Sequence, residues 1–176
     1  MSRLDLQRLH DAVRDVSDFP QPGIVFKDIT PILADPALLR LSLDALGEIA
    51  RDLHPSKIVG IDARGFIFGA ALADRLACGF IPMRKKGKLP YHTRSCVYEL
   101  EYGEAELEVH LDAIGAGDRI LLVDDLLATG GTARAALQLI LQAGAELAGA
   151  LFLIELAFLD GRRNLHPHHV RSLLVF

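Results

Sequence analysis

The stretch LLVDDLLATGGTARAAL, residues 121–137, joins a strand pattern, a pair of acids, a glycine turn and a helix pattern. It begins as an apolar run that is typical of a buried strand and that ends in Asp124 and Asp125. A helical pattern begins at Thr132, after a turn of small and hydroxyl residues. Ligands of open parallel sheets bind beyond the carboxyl ends of strands, so this stretch predicts a binding site in an α/β fold.

The turn after the acids predicts an anion site, and its residues are Ala128, Thr129, Gly130, Gly131 and Thr132. N–H groups at a helix N-terminus carry partial positive charge, and glycine lets an anion approach the backbone closely. The turn matches neither a Walker A loop nor a dinucleotide-binding glycine motif. Carboxylates accept hydrogen bonds from vicinal hydroxyls, so a ribose 5-phosphate suits both halves of the stretch. The alternative is an ordinary strand–turn–helix with capping residues.

Predicted strands and helices alternate along the rest of the chain, which favours a parallel α/β sheet. The predicted helices cover residues 3–16, 36–53, 65–77 and 132–142. The predicted strands cover residues 24–26, 57–62, 80–82, 119–125, 147–156 and 170–176. Residues 84–96 are basic and are predicted to be irregular, and alternation around Gly103 predicts a hairpin of residues 98–102 with 105–111.

Composition limits the class of protein. The chain has 176 residues, of which 51% are hydrophobic and 24% charged, and it fits a single domain over residues 1–176. Its net charge of −4 argues against a general nucleic-acid binder, and its two cysteines are too few for a disulfide scaffold. No apolar run reaches the roughly 20 residues of a membrane span, and the charged N-terminal stretch lacks the apolar core of a signal peptide. We therefore expect a cytoplasmic protein with no membrane partner.

The sequence VDDLLATGGT, residues 123–132, resembles the motif with which type I phosphoribosyltransferases bind 5-phospho-α-D-ribose 1-diphosphate (PRPP). Further stretches resemble the adenine phosphoribosyltransferases of that family in the family's own order: DFPQPGIVFKDITPIL at 18–33, DARGFIFGAALA at 62–73, RKKGKLP at 84–90 and YELEYGEAELEVHLDAI at 98–114. The resemblance implies a central, mostly parallel sheet flanked by helices, a flexible hairpin lid, and a small base-binding hood to which residues 18–33 contribute.

The same resemblance implies an activity. It is the transfer of phosphoribosyl from PRPP to adenine in purine salvage, which gives AMP and diphosphate. The resemblance also implies Mg²⁺ that is bound through PRPP rather than directly by the protein, and a homodimer.

The resemblance assigns PRPP-binding roles to residues of this chain. Asp124 and Asp125 would bind the ribose, and residues 128–132 would bind its 5-phosphate. The pyrophosphate contacts would be Ala63, Arg64, Arg84, Lys85 and Lys88. In the family, the turn at 62–65 binds pyrophosphate, often with a non-proline cis peptide bond. From the residues alone, Arg64 is equally consistent with a solvated surface arginine, and a basic run is usually a solvated face.

The resemblance also assigns a base site and a catalytic group. Val25, Phe26 and Lys27 would form part of the hood, with Phe26 stacking on adenine and the backbone of the other two reading its edge. Glu101 would manage the movement of a proton on the imidazole ring of adenine, and Tyr102 would close over the site. Without the resemblance, Phe26 fits a core aromatic and Glu101 fits the exposed face of a hairpin.

Two alternative functions stay open. One is a phosphoribosyltransferase for another purine base. The other is a non-catalytic regulator that senses PRPP and binds nucleic acid, which would need a basic face or an added DNA-binding module. His166, His168 and His169 could suggest a metal site, but three histidines in a short tail are more typical of a solvated segment.

Overall fold

The computed structural model of the chain describes residues 2–99 and 104–176. Its helices are α1 Arg3–Ala12, α2 Thr30–Ala34, α3 Pro36–Asp52, α4 Arg64–Leu76 and α5 Gly131–Gln142. Its strands are β1 Arg14–Ser17, β2 Val25–Asp28, β3 Lys57–Ile61, β4 Gly79–Lys85, β5 Thr93–Glu99, β6 Glu104–His110, β7 Arg119–Leu127, β8 Glu146–Glu155 and β9 Val170–Val175. Two short 3-10 turns, Ala157–Leu159 and Gly161–Leu165, follow β8. No helix in this part of the chain has the length and apolarity that crossing a membrane requires.

The chain divides into two units, Met1–Ala45 and Leu46–Phe176. The second unit is built on a seven-stranded sheet in the order β5-β6-β4-β3-β7-β8-β9. From β4 to β9 in this order the strands pair in parallel, whereas β6 pairs antiparallel with both β4 and β5. The predicted α/β class, with a mostly parallel central sheet, is confirmed.

Helices α4 and α5 cover opposite faces of this sheet. Ile58 of β3 lies against Gly69 of α4, whereas the next residue, Val59, belongs to the apolar core that α5 completes. Successive side chains of a strand point to opposite faces, so the two helices lie on different sides. The members of this core that α5 contributes are Ala133, Ala136, Leu137, Leu139 and Ile140.

The pairing of β3 with β7 brings two strand ends to one edge of the sheet. The two strands run in parallel, with Gly60 opposite Val123. The turn that leads into α4 follows β3, and the two acids of β7 lie just beyond Val123. Polar groups from two separate stretches of sequence are therefore neighbours at the carboxyl ends of adjacent strands.

The first unit contains an antiparallel hairpin of β1 and β2, in which Val16 pairs with Phe26 and Asp15 with Lys27. The helix predicted over residues 3–16 is therefore wrong beyond Ala12, where α1 ends. Residues 14–17 pair with residues 25–28, and this non-local pairing overrides the local helical spacing.

The basic segment that was predicted to be irregular over residues 84–96 is shorter in the structure. Strand β4 extends to Lys85 and β5 begins at Thr93, so the irregular part, called the basic loop below, is residues 86–92. The pairing of β6 with the end of β4, in which Lys85 lies opposite Leu107, explains the longer strand.

Candidate functional site

A cleft of about 230 Å³ lies where β3 and β7 end. Its wall combines the turn after β3, the end of β4, the β5–β6 pair, the acids of β7 and the start of α5. The lining residues are Ile61, Asp62, Ala63, Arg64, Lys85, Tyr98, Ala105, Asp124, Asp125 and Thr132. Site residues predicted from three separate stretches of sequence therefore share one cleft.

The glycine turn forms a second pocket, of about 90 Å³, which shares Asp124 and Thr132 with the cleft. Its other lining residues are Leu126, Leu127, Ala128, Thr129, Gly130, Gly131 and Ala133. Gly130 has a φ of +84° and immediately precedes α5. The first N–H groups of a helix have no partner within the helix, so this pocket offers backbone donors to an anion.

The two acids of β7 are held in a poorly hydrated position. Burial raises the pKa of Asp124 well above its ordinary value, and the charge of Asp125 raises it further. The Oδ1 atom of Asp124 accepts a hydrogen bond of 2.9 Å from the backbone N–H of Asp125. This pair of carboxyl groups is therefore a strong acceptor site that is costly to keep ionised without a ligand.

The guanidinium of Arg64 partly compensates Asp125. Burial raises the pKa of Asp125, which is 4% exposed, and the charge of Arg64 opposes that shift. The Nε atom of Arg64 lies 2.8 Å from Oδ2 of Asp125. Within residues 2–99 and 104–176, no well-aligned hydrogen bond reaches this oxygen. The ion pair with Arg64 is therefore the main stabilising contact of this buried oxygen.

The turn between β3 and α4 packs tightly on the acid strand. A Cβ atom on residue 65 would lie 2.7 Å from Oδ1 of Asp124 and 2.8 Å from the carbonyl oxygen of Val123, so only glycine fits there. The Asp62–Ala63 peptide bond that precedes it is cis. This packing brings the N-terminus of α4 to the wall of the cleft.

Arg84 links that turn to the basic loop. Its Nε donates to Oδ2 of Asp62 at 2.9 Å, and its Nη1 donates to the carbonyl oxygen of Lys88 at 3.0 Å. Lys85 lines the cleft, whereas the side chain of Lys88 is exposed. Of these three cations, Lys85 lies at the cleft, Arg84 is bound to Asp62 and to the carbonyl of Lys88, and Lys88 has an exposed side chain.

Glu108 anchors the basic loop, although the sequence did not single it out. Its side chain is buried, and Oε1 accepts the backbone N–H groups of Lys88 and Leu89, both at 3.0 Å. Its Oε2 accepts the hydroxyl of Thr93 at 3.2 Å. One carboxylate therefore holds the middle of the basic loop and the first residue of β5 together.

Replacing Glu108 with alanine should lower the free energy of unfolding by about 2 kcal/mol, because two backbone N–H groups and the hydroxyl of Thr93 lose a buried acceptor. Urea denaturation measures this change. The matched control is Glu106→Ala on the same strand, which removes a half-buried carboxylate from Lys86 and Ser95 and should change stability less. Equal losses in the two variants would contradict the anchoring role.

Val25, Phe26 and Lys27 form most of β2 in the first unit. Phe26 is half-buried and contacts Phe19 edge to face, with ring centroids 5.2 Å apart. Nζ of Lys27 lies 2.6 Å from Oδ1 of Asp15. Their proposed adenine contacts stay predictions.

Glu101 and Tyr102 lie outside the described residues, so their predicted roles stay predictions too. The C-terminal histidines belong to the segment between the second 3-10 turn and β9. In residues 2–99 and 104–176, no group of three or more His, Cys, Asp or Glu side chains is arranged to hold a metal ion.

Sequence reasoning missed residues on both sides of the site. Tyr98 and Ala105 line the cleft from β5 and β6. The side-chain amide of Asn164 donates to the carbonyl oxygen of Thr129 at 2.7 Å, from a segment 35 residues further along the chain. No motif or periodicity signals this contact.

Comparison with known proteins places the chain in a family. Residues 28–169 match the phosphoribosyl transferase domain family. The adenine phosphoribosyltransferase of Methylococcus capsulatus is 54% identical over 175 residues, which cover 96% of this chain and 99% of that protein.

Comparison with solved structures points to the same family. Adenine phosphoribosyltransferase from Rhodothermus marinus superposes with a TM-score of 0.94 at 50% identity, covering 99% of this chain and 100% of the other. The Saccharomyces cerevisiae enzyme, in complex with an imino-altritol bisphosphate and adenine, gives a TM-score of 0.92 at 41% identity, covering 98% and 100%. The chain belongs to the phosphoribosyltransferase family, and within it to the adenine phosphoribosyltransferases.

Proposed function

We propose that this protein transfers the phosphoribosyl group of PRPP to N9 of adenine and releases diphosphate and AMP. The observation that carries the proposal is the cleft that joins the acid pair, Arg64 and Lys85 and adjoins the pocket of residues 128–132. Acceptors for sugar hydroxyls, cations for a diphosphate and backbone donors for a phosphate are side by side, in the arrangement that PRPP requires.

PRPP would span the two pockets. Its 5-phosphate accepts N–H and hydroxyl donors from residues 128–132, and its ribose hydroxyls donate to Asp124 and Asp125. The diphosphate lies toward Ala63, Arg64 and Lys85. We also assign Arg84 and Lys88 to the diphosphate, as the resemblance implies; Lys88 has an exposed side chain that can turn toward it, whereas Arg84 would have to exchange partners.

The donor set of the cleft suits Mg²⁺ that is held mainly by the substrate. Mg²⁺ prefers oxygen ligands and keeps several waters, and the acid pair at the cleft wall offers carboxylate oxygens to such waters. Diphosphate oxygens would provide its direct ligands. When bound, Mg²⁺ supplies neutralisation of the charge on the diphosphate.

The transfer forms a bond from N9 of adenine to C1′ of the ribose while the C1′–O bond to diphosphate breaks and its electron pair leaves with the diphosphate. The imidazole ring of adenine gives up one proton in the process. Glu101 is our candidate to manage that proton near N7, with Tyr102 closing over the site. The β5–β6 hairpin would exclude water, which would otherwise capture the electron-poor ribose.

Replacing Glu101 with leucine or alanine should lower kcat by about 100-fold or more, because a general acid–base group is lost. The affinity for PRPP, measured by calorimetry, should change little, since the residues that we assign to PRPP do not include Glu101. Glu104→Gln, at an exposed carboxylate on the same hairpin, is the control. An unchanged kcat in the Glu101 variants would remove the proton-transfer role.

We assign the base site to the hairpin of the first unit. The half-buried ring of Phe26 offers a stacking face, and backbone groups of Val25 and Lys27 offer hydrogen bonds to the edge of the purine. A carbonyl acceptor that faces the exocyclic amine of adenine would reject hypoxanthine, which carries an oxygen there. The yeast relative in complex with adenine supports a base site for this purine.

The direct test measures nucleotide formation from PRPP and Mg²⁺ with adenine, hypoxanthine, guanine and xanthine in parallel. AMP formed with adenine alone would support the enzyme and the base site together. Product with another base would retain the PRPP cleft and reject the base assignment. Retained PRPP binding without any product would favour a regulator.

We also expect a homodimer of single-domain chains, as the resemblance implies. Light scattering at micromolar concentration should give about twice the 19.2 kDa mass of the chain. A monomer across that range would contradict this expectation. The cytoplasmic location stays a prediction from composition.

A further inference from the structure

The segment Gly161–Leu165, called the backing segment below, contacts the phosphate turn from outside its pocket. A Cβ atom on residue 161 would lie 2.1 Å from the carbonyl oxygen of Ala128, and one on Gly130 would lie 2.4 Å from the carbonyl oxygen of Gly161. The two backbones therefore touch, and glycine is required on both sides. As the described residues define it, the pocket wall includes neither Gly161 nor Asn164.

Asn164 adds a directional contact at the tip of the turn. Its Nδ2 donates to the carbonyl oxygen of Thr129 at 2.7 Å. In a trans peptide unit the C=O and N–H point in opposite directions. Because Asn164 holds the carbonyl of Thr129 toward itself, the N–H of Gly130 points away from the backing segment. A ligand on that opposite side can accept a hydrogen bond from this N–H.

The backing segment is itself firmly held. Glu155, buried at the end of β8, pairs both carboxylate oxygens with the guanidinium of Arg162. Arg162 also donates to the carbonyl oxygen of Val170 at 2.9 Å. Leu165 is fully buried. The backing segment is therefore held in place by contacts with β8 and β9 of the central sheet.

We propose that Asn164 is a positioning residue for the binding of the 5-phosphate. It acts through the carbonyl of Thr129, with Gly161 setting the distance between the two backbones. The inference rests on the proposed function, because it requires that residues 128–132 bind the phosphate. A small misplacement of preorganised donors weakens binding strongly, so the effect should be confined to ligands that carry this phosphate.

The test compares Asn164→Leu and Asn164→Asp, which both lose the donor, with Arg163→Ala, an exposed neighbour in the same turn. Calorimetry on the full chain measures affinity for ribose 5-phosphate and, separately, for diphosphate with Mg²⁺. Both Asn164 variants should lose about tenfold in affinity for ribose 5-phosphate and keep their affinity for diphosphate. The control should keep both affinities. Equal losses for the two ligands, or no loss, would overturn the positioning role.

Two further variants separate this inference from the proposed function. Thr132→Val removes a hydroxyl from the pocket itself, and Gly161→Ala pushes a methyl group onto the carbonyl of Ala128. Gly115→Ala, where nothing lies within 4 Å of an added Cβ, is the control for the glycine change. If Thr132→Val weakens ribose 5-phosphate binding and the Asn164 variants do not, the positioning role alone fails. If the unaltered protein binds no ribose 5-phosphate, the proposed function fails and the inference with it.

Discussion

The Asp124→Asn variant should unfold at a higher temperature than the unaltered protein at pH 7, yet bind PRPP about tenfold more weakly. Burial and the neighbouring Asp125 raise the pKa of this carboxyl, so its ionised form destabilises the folded state. Asparagine is neutral, and its amide oxygen can still accept the N–H of Asp125. We therefore expect the substitution to raise the free energy of unfolding by about 1 kcal/mol. Replacing a residue that is kept for function often stabilises a protein in this way.

The loss of affinity in Asp124→Asn has a separate cause. A hydroxyl that donates to a carboxylate contributes about 1–1.5 kcal/mol more than one that donates to a neutral amide, which corresponds to about a tenfold change in affinity. Asp125→Asn should weaken PRPP binding in the same way. Thermal unfolding and calorimetric titration of PRPP measure the two effects independently. An unaltered affinity in both variants would refute the ribose assignment.

The stability gain should depend on pH. In the folded state the pKa of Asp124 lies above its unfolded value of about 3.9, so the folded protein binds this proton more tightly than the unfolded chain does. Stability is therefore lost as the pH rises from the unfolded pKa through the folded one. The advantage of Asp124→Asn should be small below pH ~4, grow through that window and then level off.

Asp118 provides a control, because its pKa is shifted in the opposite direction. Its hydrogen bond from Lys57, with Nζ and Oδ2 2.8 Å apart, lowers the pKa of its carboxyl. The stability that Asp118 contributes is present above its unfolded pKa and lost as the pH falls through the folded one. Asp118→Asn should therefore lower the unfolding temperature at pH 7. A higher unfolding temperature in both asparagine variants would contradict the assigned origin of the Asp118 shift, and a lower one in both would contradict that of the Asp124 shift.

The sequence predicted those features that depend on contacts close along the chain. The apolar run before Asp124, the glycine turn and the amphipathic pattern from Thr132 each occupy one stretch, and β7 and α5 appear there. The rule that ligands bind at the carboxyl ends of parallel strands then predicted a site at this edge of the sheet, where the structure has a cleft. The neighbouring position of the turn after β3 followed from the family resemblance.

The features that the sequence did not predict depend on pairs far apart in the chain. Strict alternation places Glu108 on the polar face of its strand, but the basic loop folds over that face and buries the carboxylate. Asn164 meets Thr129 only because β8 and β9 bring the backing segment behind the turn. The early end of α1 has the same origin, since β1 exists only through its pairing with β2.

Replacing Arg64 with alanine should impair both folding and catalysis, and a second substitution should repair folding alone. Asp125 is buried, and within residues 2–99 and 104–176 the guanidinium 2.8 Å away is the cation in ion-pair contact with its carboxylate. Breaking such a pair by removing one partner lowers stability by about 3 kcal/mol. Because Arg64 holds down the pKa of Asp125, the stability loss should be larger at pH 7 than at pH 4.

The double variant Arg64→Ala, Asp125→Asn removes the unpaired charge and should recover most of the lost stability. It should not recover turnover, because the cleft then lacks a cation for the diphosphate and a carboxylate for the ribose. We expect kcat/KM to fall by about 100- to 1000-fold in the single variant and further in the double one. Arg171→Ala, at an exposed arginine on β9, is the control for loss of positive charge. If the double variant regains activity along with stability, Arg64 serves only to neutralise Asp125, and the diphosphate must find its cations at Lys85 and the basic loop.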